Sequence, residues 1–389
     1  MNVLRNVIII IFSLSFSIIF LHFILHLNTL KIVDQRKLDK SILWYLDRYY
    51  HTFFPNTFDR DLKNYTAILG DSYAFGEGDG WLEIEKDYKY STPHYLNKLN
   101  GENYINFGLP GGRSVTSFRE FFFRYNKIQS SKFLPKIDQP KKMIFFFYEG
   151  NDIIDNITYF KKRKLDTDDI NKFVKAEIEN FNYYNNRHFN IYFPVINSTK
   201  NALLDKFIHY IYIPYIYPIR SKFNKRIKNN LKIMESKNRF LNYITFEGGK
   251  TRAFDSNVEN PGYFLSKNEI NTSINIFFSC IDYFKKKFPN TEIEILYIPS
   301  ASTIYEWSNN LIVKVPDKEY IEINHQNRNE FYNYIIENFK ILSKKRNIKF
   351  FNSTEQLKKI AQKEPLHGNL DDMHFNLLGY QTLANVLLD

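Results

Sequence analysis

From residue 65 onward, short apolar runs alternate with longer segments whose apolar positions recur at helical spacing. Tyr65–Leu69, Tyr104–Asn106, Met143–Tyr148, Glu292–Ile298 and Ile348–Phe351 are the short runs, and each predicts a strand. Several are continuously apolar, the pattern of parallel strands covered on both faces. Among the longer segments, Ile270, Ile274, Phe277, Ile281, Phe284 and Phe288 fall alternately four and three apart and so line one helix face. Phe331, Ile335, Phe339 and Leu342 line another. Stripes of this kind are core faces rather than cofactor contacts. The alternation predicts an α/β protein, a three-layer αβα sandwich around a parallel sheet.

The alternation stops between Asn156 and about Lys267, where Lys, Asn and Tyr dominate around one apolar knot, Phe207–Ile219, broken by Pro214 and Pro218. This is too long for a plain connection and predicts a helical insertion at about 156–267. It reads either as a surface subdomain or as a lid or substrate platform over the sheet edge. At the other end, Val7–Leu25 is almost all Ile, Leu, Phe and Val, with polar breaks only at Ser13, Ser15, Ser17 and His22. About 20 such residues cross a bilayer, and no small-x-small cleavage site follows. A retained transmembrane anchor within residues 1–30 is therefore expected. Residues 31–60 then form a juxtamembrane linker, in which Leu43, Trp44 and Tyr45 suit the interface, and 61–389 carry the main domain. Lys31, Arg36, Lys37 and Lys40 follow the span while Arg5 precedes it, so charge counting does not favour translocation of the body. A short head before a large soluble body suits a signal anchor all the same, and the body is expected outside the cytoplasm.

Composition adds exclusions. The net charge is +11 over 389 residues, but Lys and Arg are spread along the whole length. With neither a basic stripe nor a reader motif, nucleic-acid binding is not expected. Cys280 is the only cysteine, which rules out an intrachain disulfide and a cysteine-based zinc site. The main domain has no His-x-x-x-His or carboxylate cluster at ligand spacing, so neither a metal nor a cofactor is expected.

The candidate chemistry sits at the strand ends. Gly70-Asp71-Ser72 follows the first predicted strand, a position from which many α/β folds present a nucleophilic hydroxyl. Asn106-Phe107-Gly108-Leu109-Pro110-Gly111-Gly112 follows the second and Gly150-Asn151-Asp152 the third. Serine is a poor nucleophile unless a base takes its proton, and that base is usually a histidine held by a carboxylate. Of nine histidines, His374 has the best context: Asp371 lies three positions before it, and Phe375–Tyr380 leads into an apolar C-terminal helix. His367 lacks that spacing, and Asp372 reads as a solvated or capping neighbour. The oxyanion of acyl transfer needs donors placed in advance. Asn151 offers a side-chain amide, Gly111 a backbone N–H with no Cβ in the way, and Ser72 its own backbone N–H.

The order Ser72, Gly111, Asn151, Asp371-x-x-His374 resembles the SGNH (GDSL-type) hydrolase family over roughly residues 65–156 and 292–388. Gly70-Asp71-Ser72 looks like its first block, Asn106 through Gly111 its second, Gly150-Asn151-Asp152 its third and Asp371-x-x-His374 its fifth. The resemblance implies a flavodoxin-like αβα sandwich, a Ser72–His374–Asp371 triad and an oxyanion hole of Ser72, Gly111 and Asn151. Tyr73–Gly78 and the Ile298-Pro299-Ser300 strand end look like membrane-anchored bacterial members associated with cell-envelope polysaccharides. One departure is that Trp81 and an acidic-basic stretch follow the first block, where the family continues with a longer aliphatic run. The expected function is a serine esterase acting on O-acyl, chiefly O-acetyl, esters of an envelope polysaccharide. The partners implied are an acylated carbohydrate or other ester, and the membrane. Two rivals are an O-acetyltransferase with a sugar hydroxyl as acceptor and a non-catalytic glycan-binding or assembly component. The last would be expected to lose Ser72, Asn151 or His374, and this chain keeps all three.

Overall fold

The five apolar runs become the five strands of one sheet. The computed structural model describes residues 63–78, 91–109, 111–130, 137–163, 169–179, 242–254, 258, 261–314, 320–368 and 373–389, together with Ser13, Phe16 and Ser17. In chain order the elements are β1 (Thr66–Leu69), α1 (Ser72–Phe75), α2 (Thr92–Asn100), β2 (Tyr104–Asn106), α3 (Ser114–Ser130) and β3 (Lys142–Tyr148). Next come α4 (Asp152–Arg163), α5 (Ile170–Glu179), β4 (Asn242–Thr245), β5 (Thr251–Phe254), α6 (Lys267–Lys287) and β6 (Glu292–Ile298). The chain continues through α7 (Ala301–Ile304), β7 (Leu311–Lys314), β8 (Tyr320–Ile323), α8 (His325–Lys345), β9 (Lys349–Asn352), α9 (Thr354–Ala361) and α10 (Leu377–Val386).

The sheet runs β2-β1-β3-β6-β9, and every neighbouring pair is parallel. β1 stands between β2 and β3, with Ala67 opposite Ile105 on one side and Met143 on the other. Parallel neighbours need crossover connections, which puts helices on the faces. Along β3 successive side chains therefore go to different layers. Phe145 and Phe147 meet Phe118 of α3, Phe277 of α6 and Phe339 of α8. Ile144, Phe146 and Tyr148 share a buried cluster with Leu96 of α2, Leu357 of α9 and Leu383 of α10. Both faces are thus covered, as the continuous apolar runs require.

The long helices start where their caps dictate. Ser266 and Glu269 form a capping box at α6, and the side chains of Asn324 and Asn376 accept from the first turns of α8 and α10. Parts of the expected insertion at 156–267 are among the described residues. Helix continues through Arg163, α4 and α5 both pack on α6, and β4 bonds to the segment after α7 through an Ile244–Trp307 bridge. A buried Arg119–Glu177 ion pair, 3.2 Å long, ties α5 to α3. Losing one partner of such a pair typically costs about 3–5 kcal/mol, because the other charge stays buried alone.

Tyr50–Ser130, Lys136–Phe181 and Ser236–Asp389 form one compact unit, which contains the whole sheet. The other unit comprises Met1–Tyr49, Ser131–Pro135 and Asn182–Glu235. The apolar knot Phe207–Ile219, the linker 31–60 and nearly all of the expected anchor Val7–Leu25 lie outside the described residues. Among the described residues, no helix is long and apolar enough to cross a membrane.

Candidate active site

Parallel pairing brings the C-terminal ends of all five sheet strands to one edge. Counted along the chain, the sheet strands stand in the order 2-1-3-4-5, so the chain changes direction between β1 and β3. Open α/β sheets bind ligands at that switch point. Ser72 opens the short helix that follows β1, and Asn151 lies in the turn that follows β3. The two turns therefore leave neighbouring strands at the same edge.

Ser72 and His374, 302 positions apart in sequence, are brought together: His374 Nε2 lies 2.9 Å from Ser72 Oγ. Several packed contacts produce this meeting. Tyr73 stacks on Tyr148 at 3.8 Å between ring centroids and meets Phe375 edge-on at 5.0 Å. Its hydroxyl donates to the carbonyl of Met373 at 2.8 Å. Tyr73, next to Ser72, thus grips the residues on either side of His374. Tyr380 of α10 donates to the Glu77 carbonyl, and the Asn376 side chain reaches back to the Pro365 carbonyl at 2.7 Å.

His367, set aside on sequence spacing, is buried beneath this segment and pairs with Phe375 in an antiparallel bridge. The Tyr305 oxygen accepts from the backbone N–H groups of Leu366 and His367, and it lies 2.9 Å from His367 Nδ1. Burial pushes the Tyr305 phenol up to about 12, so it keeps its proton near neutral pH. The other ring nitrogen, Nε2, faces the Tyr73 hydroxyl at 3.4 Å. His367 lies beneath the segment that carries His374 and has no contact with Ser72.

Two acidic residues beside Ser72 carry weight that spacing did not reveal. Asp71 is 1% exposed and caps α1 by accepting from the Tyr73 N–H at 3.0 Å. Burial raises its carboxyl to about 6, against the opposing pull of that N–H, His374 and the Asn151 amide, while Glu77 adds to the rise. Asp71 Oδ2 and Asn151 Oδ1 are each buried without a hydrogen-bond partner among the described residues. With its native pKa raised, Asp71 favours the folded state while protonated. That contribution is lost as pH rises through about 6. A charge is held beside the serine at a cost in stability. Glu77 is the second acidic residue: its Oε2 lies 3.5 Å from the same His374 Nε2 that faces Ser72.

The Asn151 turn is held from both sides. Asp152 accepts from the Tyr148 N–H at 2.9 Å. Glu149, fully buried, accepts from Ser300 Oγ at 2.9 Å, Thr303 Oγ1 at 2.7 Å and the Tyr297 hydroxyl. Burial raises the Glu149 carboxyl and these donors oppose the rise.

Gly111 sits in an exposed turn at φ +61° with open space where a Cβ would be. Gly108 is different: a Cβ there would lie 2.2 Å from the Phe75 backbone nitrogen and 2.6 Å from the Ala74 carbonyl carbon. Gly108 is the close-packing glycine under α1. Gly108→Ala is expected to destabilise the protein by about 1–3 kcal/mol and to displace Ser72. Gly111→Ala meets only the cost of its backbone conformation. Urea melts of both variants, with active-site labelling at equal folded fraction, check this; equal labelling in the two would remove Gly108 from the site's support. Asp371, the expected holder of His374, and its neighbour Asp372 lie outside the described residues. Among the described residues, no group of His, Cys, Asp and Glu has the arrangement of a metal site.

Fold and site together define an α/β protein with a serine–histidine pair at the switch point of a five-stranded parallel sheet. Compared with known proteins, the chain matches no family model and no curated sequence.

Proposed function

We propose that this protein is a serine esterase of the SGNH hydrolase type, on a flavodoxin-like sandwich, that cleaves O-acyl esters of a cell-envelope polysaccharide. The observation that carries the reading is the 2.9 Å contact between Ser72 Oγ and His374 Nε2 at the edge where such sheets bind ligands. In the first half-reaction Ser72 Oγ attacks the acyl carbonyl while its proton passes to His374 Nε2. The carbonyl oxygen gathers negative charge, for which the Ser72 and Gly111 backbone N–H groups and the Asn151 amide are the proposed donors. Collapse expels the sugar alcohol, which leaves with the proton from Nε2. In the second half, water attacks the acyl-Ser72 carbonyl, gives its proton to Nε2, and the C–Oγ bond breaks as that proton returns to Ser72. Asp371 is the proposed carboxylate behind His374.

The test is acetate release by the full chain from p-nitrophenyl acetate and from an O-acetylated polysaccharide, with and without free sugar acceptors. Release into water is expected. Acetyl appearing on the added sugar instead would assign an O-acetyltransferase, and neither reaction from folded protein would overturn the proposal.

The proposed setting is a membrane-anchored protein with its body outside the cytoplasm, resting on the long apolar run Val7–Leu25. Protease added to intact spheroplasts is expected to digest the body while sparing cytoplasmic controls. Protection of the body would reverse the topology and remove an envelope substrate from consideration.

A further inference from the structure

His374 Nε2 faces two groups at once: Ser72 Oγ at 2.9 Å and Glu77 Oε2 at 3.5 Å. Glu77 is fixed in the backbone of the nucleophile turn. Its N–H donates to the Ser72 carbonyl at 3.0 Å, and its own carbonyl accepts from the Tyr380 hydroxyl. The two side chains are only partly covered, 16% exposed for His374 and 18% for Glu77. In the first half-reaction Nε2 takes the serine proton and passes it to the leaving alcohol, a transfer that a p-nitrophenolate leaving group does not need. In the second, the attacking acceptor must bring an O–H to Nε2, and it arrives beside the Glu77 carboxylate. The geometry allows both contacts: one oxygen at ordinary hydrogen-bond distance from each atom, about 2.8 Å, closes a triangle over the 3.5 Å base.

We propose that Glu77 positions the acceptor in the second half-reaction by taking a hydrogen bond from a second donor on it. The acceptors favoured are therefore those carrying two adjacent donors, water itself or a hydroxyl with a vicinal hydroxyl, as on a sugar ring. One donor gives its proton to Nε2 as its oxygen attacks acyl-Ser72, and the C–Oγ bond breaks as Ser72 takes that proton back. The other donor stays bonded to Glu77, whose charge does not change. A simple monohydric alcohol has nothing to offer the carboxylate.

This inference rests on the proposed covalent mechanism, and its test separates the two. The full chain, purified in mild detergent, is mixed rapidly with p-nitrophenyl acetate, and burst and steady-state rate are read separately. Wild type is expected to show a burst that Ser72→Ala lacks. Glu77→Gln, nearly the same in shape, is expected to keep a burst while its steady-state rate falls about tenfold, the size of one partly exposed charge-assisted hydrogen bond. Partitioning of the acyl group between propane-1,2-diol and propan-1-ol gives the second readout. Wild type is expected to favour the diol by about tenfold, and Glu77→Gln to bring the ratio close to one. Burst and steady state falling in parallel, or an unchanged diol preference in Glu77→Gln, would show that Glu77 only supports His374 and would overturn this inference alone. No burst in wild type would overturn it together with the mechanism on which it rests.

Discussion

Ser72→Ala is expected to take up no fluorophosphonate where the wild type is labelled one to one, and to lose about 10⁴–10⁶ in turnover. The hydroxyl lies 2.9 Å from His374 Nε2, so the proposed base is already in reach. Ser72 is 4% exposed, and removing its Oγ takes one atom from a turn held by other contacts. The Tyr73 stack, the Asp71 cap and the Gly76 N–H on the Ser72 carbonyl at 2.8 Å do not involve that oxygen. The variant should therefore fold, and a thermal melt alongside the labelling checks that it does. Continued labelling of folded Ser72→Ala would assign the nucleophile elsewhere.

His374→Ala is expected to cut turnover by about 10⁴–10⁶, because no other group would take the serine proton. The informative comparison is His367→Ala. Spacing alone marks His367 as a bystander, yet it is 2% exposed and linked to Tyr305 and Tyr73 beneath the segment that carries His374. Its removal leaves a cavity and strips the partners of their bonds, an expected loss of about 2–3 kcal/mol in stability. Turnover per probe-reactive molecule should fall by less than tenfold. Both variants are measured by urea melt and by turnover normalised to labelled protein. Equal losses per labelled molecule would mean that the two histidines share the chemistry.

How much was legible follows from which signals are local. All five sheet strands stand where the apolar runs predict them, with ends agreeing to about one residue, because strands covered on both faces must be apolar throughout. The α6 and α8 stripes were legible for the same reason: Phe277 and Phe339 recur at helical spacing because they face Phe147. The β4–β5 and β7–β8 ribbons were not. Asn-Tyr-Ile-Thr and Thr-Arg-Ala-Phe are short and half-polar, and β4 is held by non-local partners such as the bridge to Trp307 and the bonds between Asn242 and Ile312. Helix α5 was hidden as well, for its charged residues read as surface until Glu177 is seen to pair with buried Arg119.

By itself the sequence determined the sheet strands, the core stripes, and which chemistry-bearing residues stand at strand ends: Ser72, Gly111 and Asn151. Strand, turn and helix are encoded over a few residues by period and by glycine, so these assignments need no knowledge of distant contacts. Only the tertiary structure decided which of those residues meet. The strand order brings β1 beside β3 and so the Ser72 turn beside the Asn151 turn. The packing of Tyr73 against Tyr148, Phe375 and the Met373 carbonyl sets His374 on the serine. The same packing sets Glu77 on the histidine nitrogen and buries Asp71, raising its carboxyl. The contacts of Ser72 and Tyr73 with the His374 segment join residues 300 and 302 positions apart, and local hydrophobic period carries no record of them.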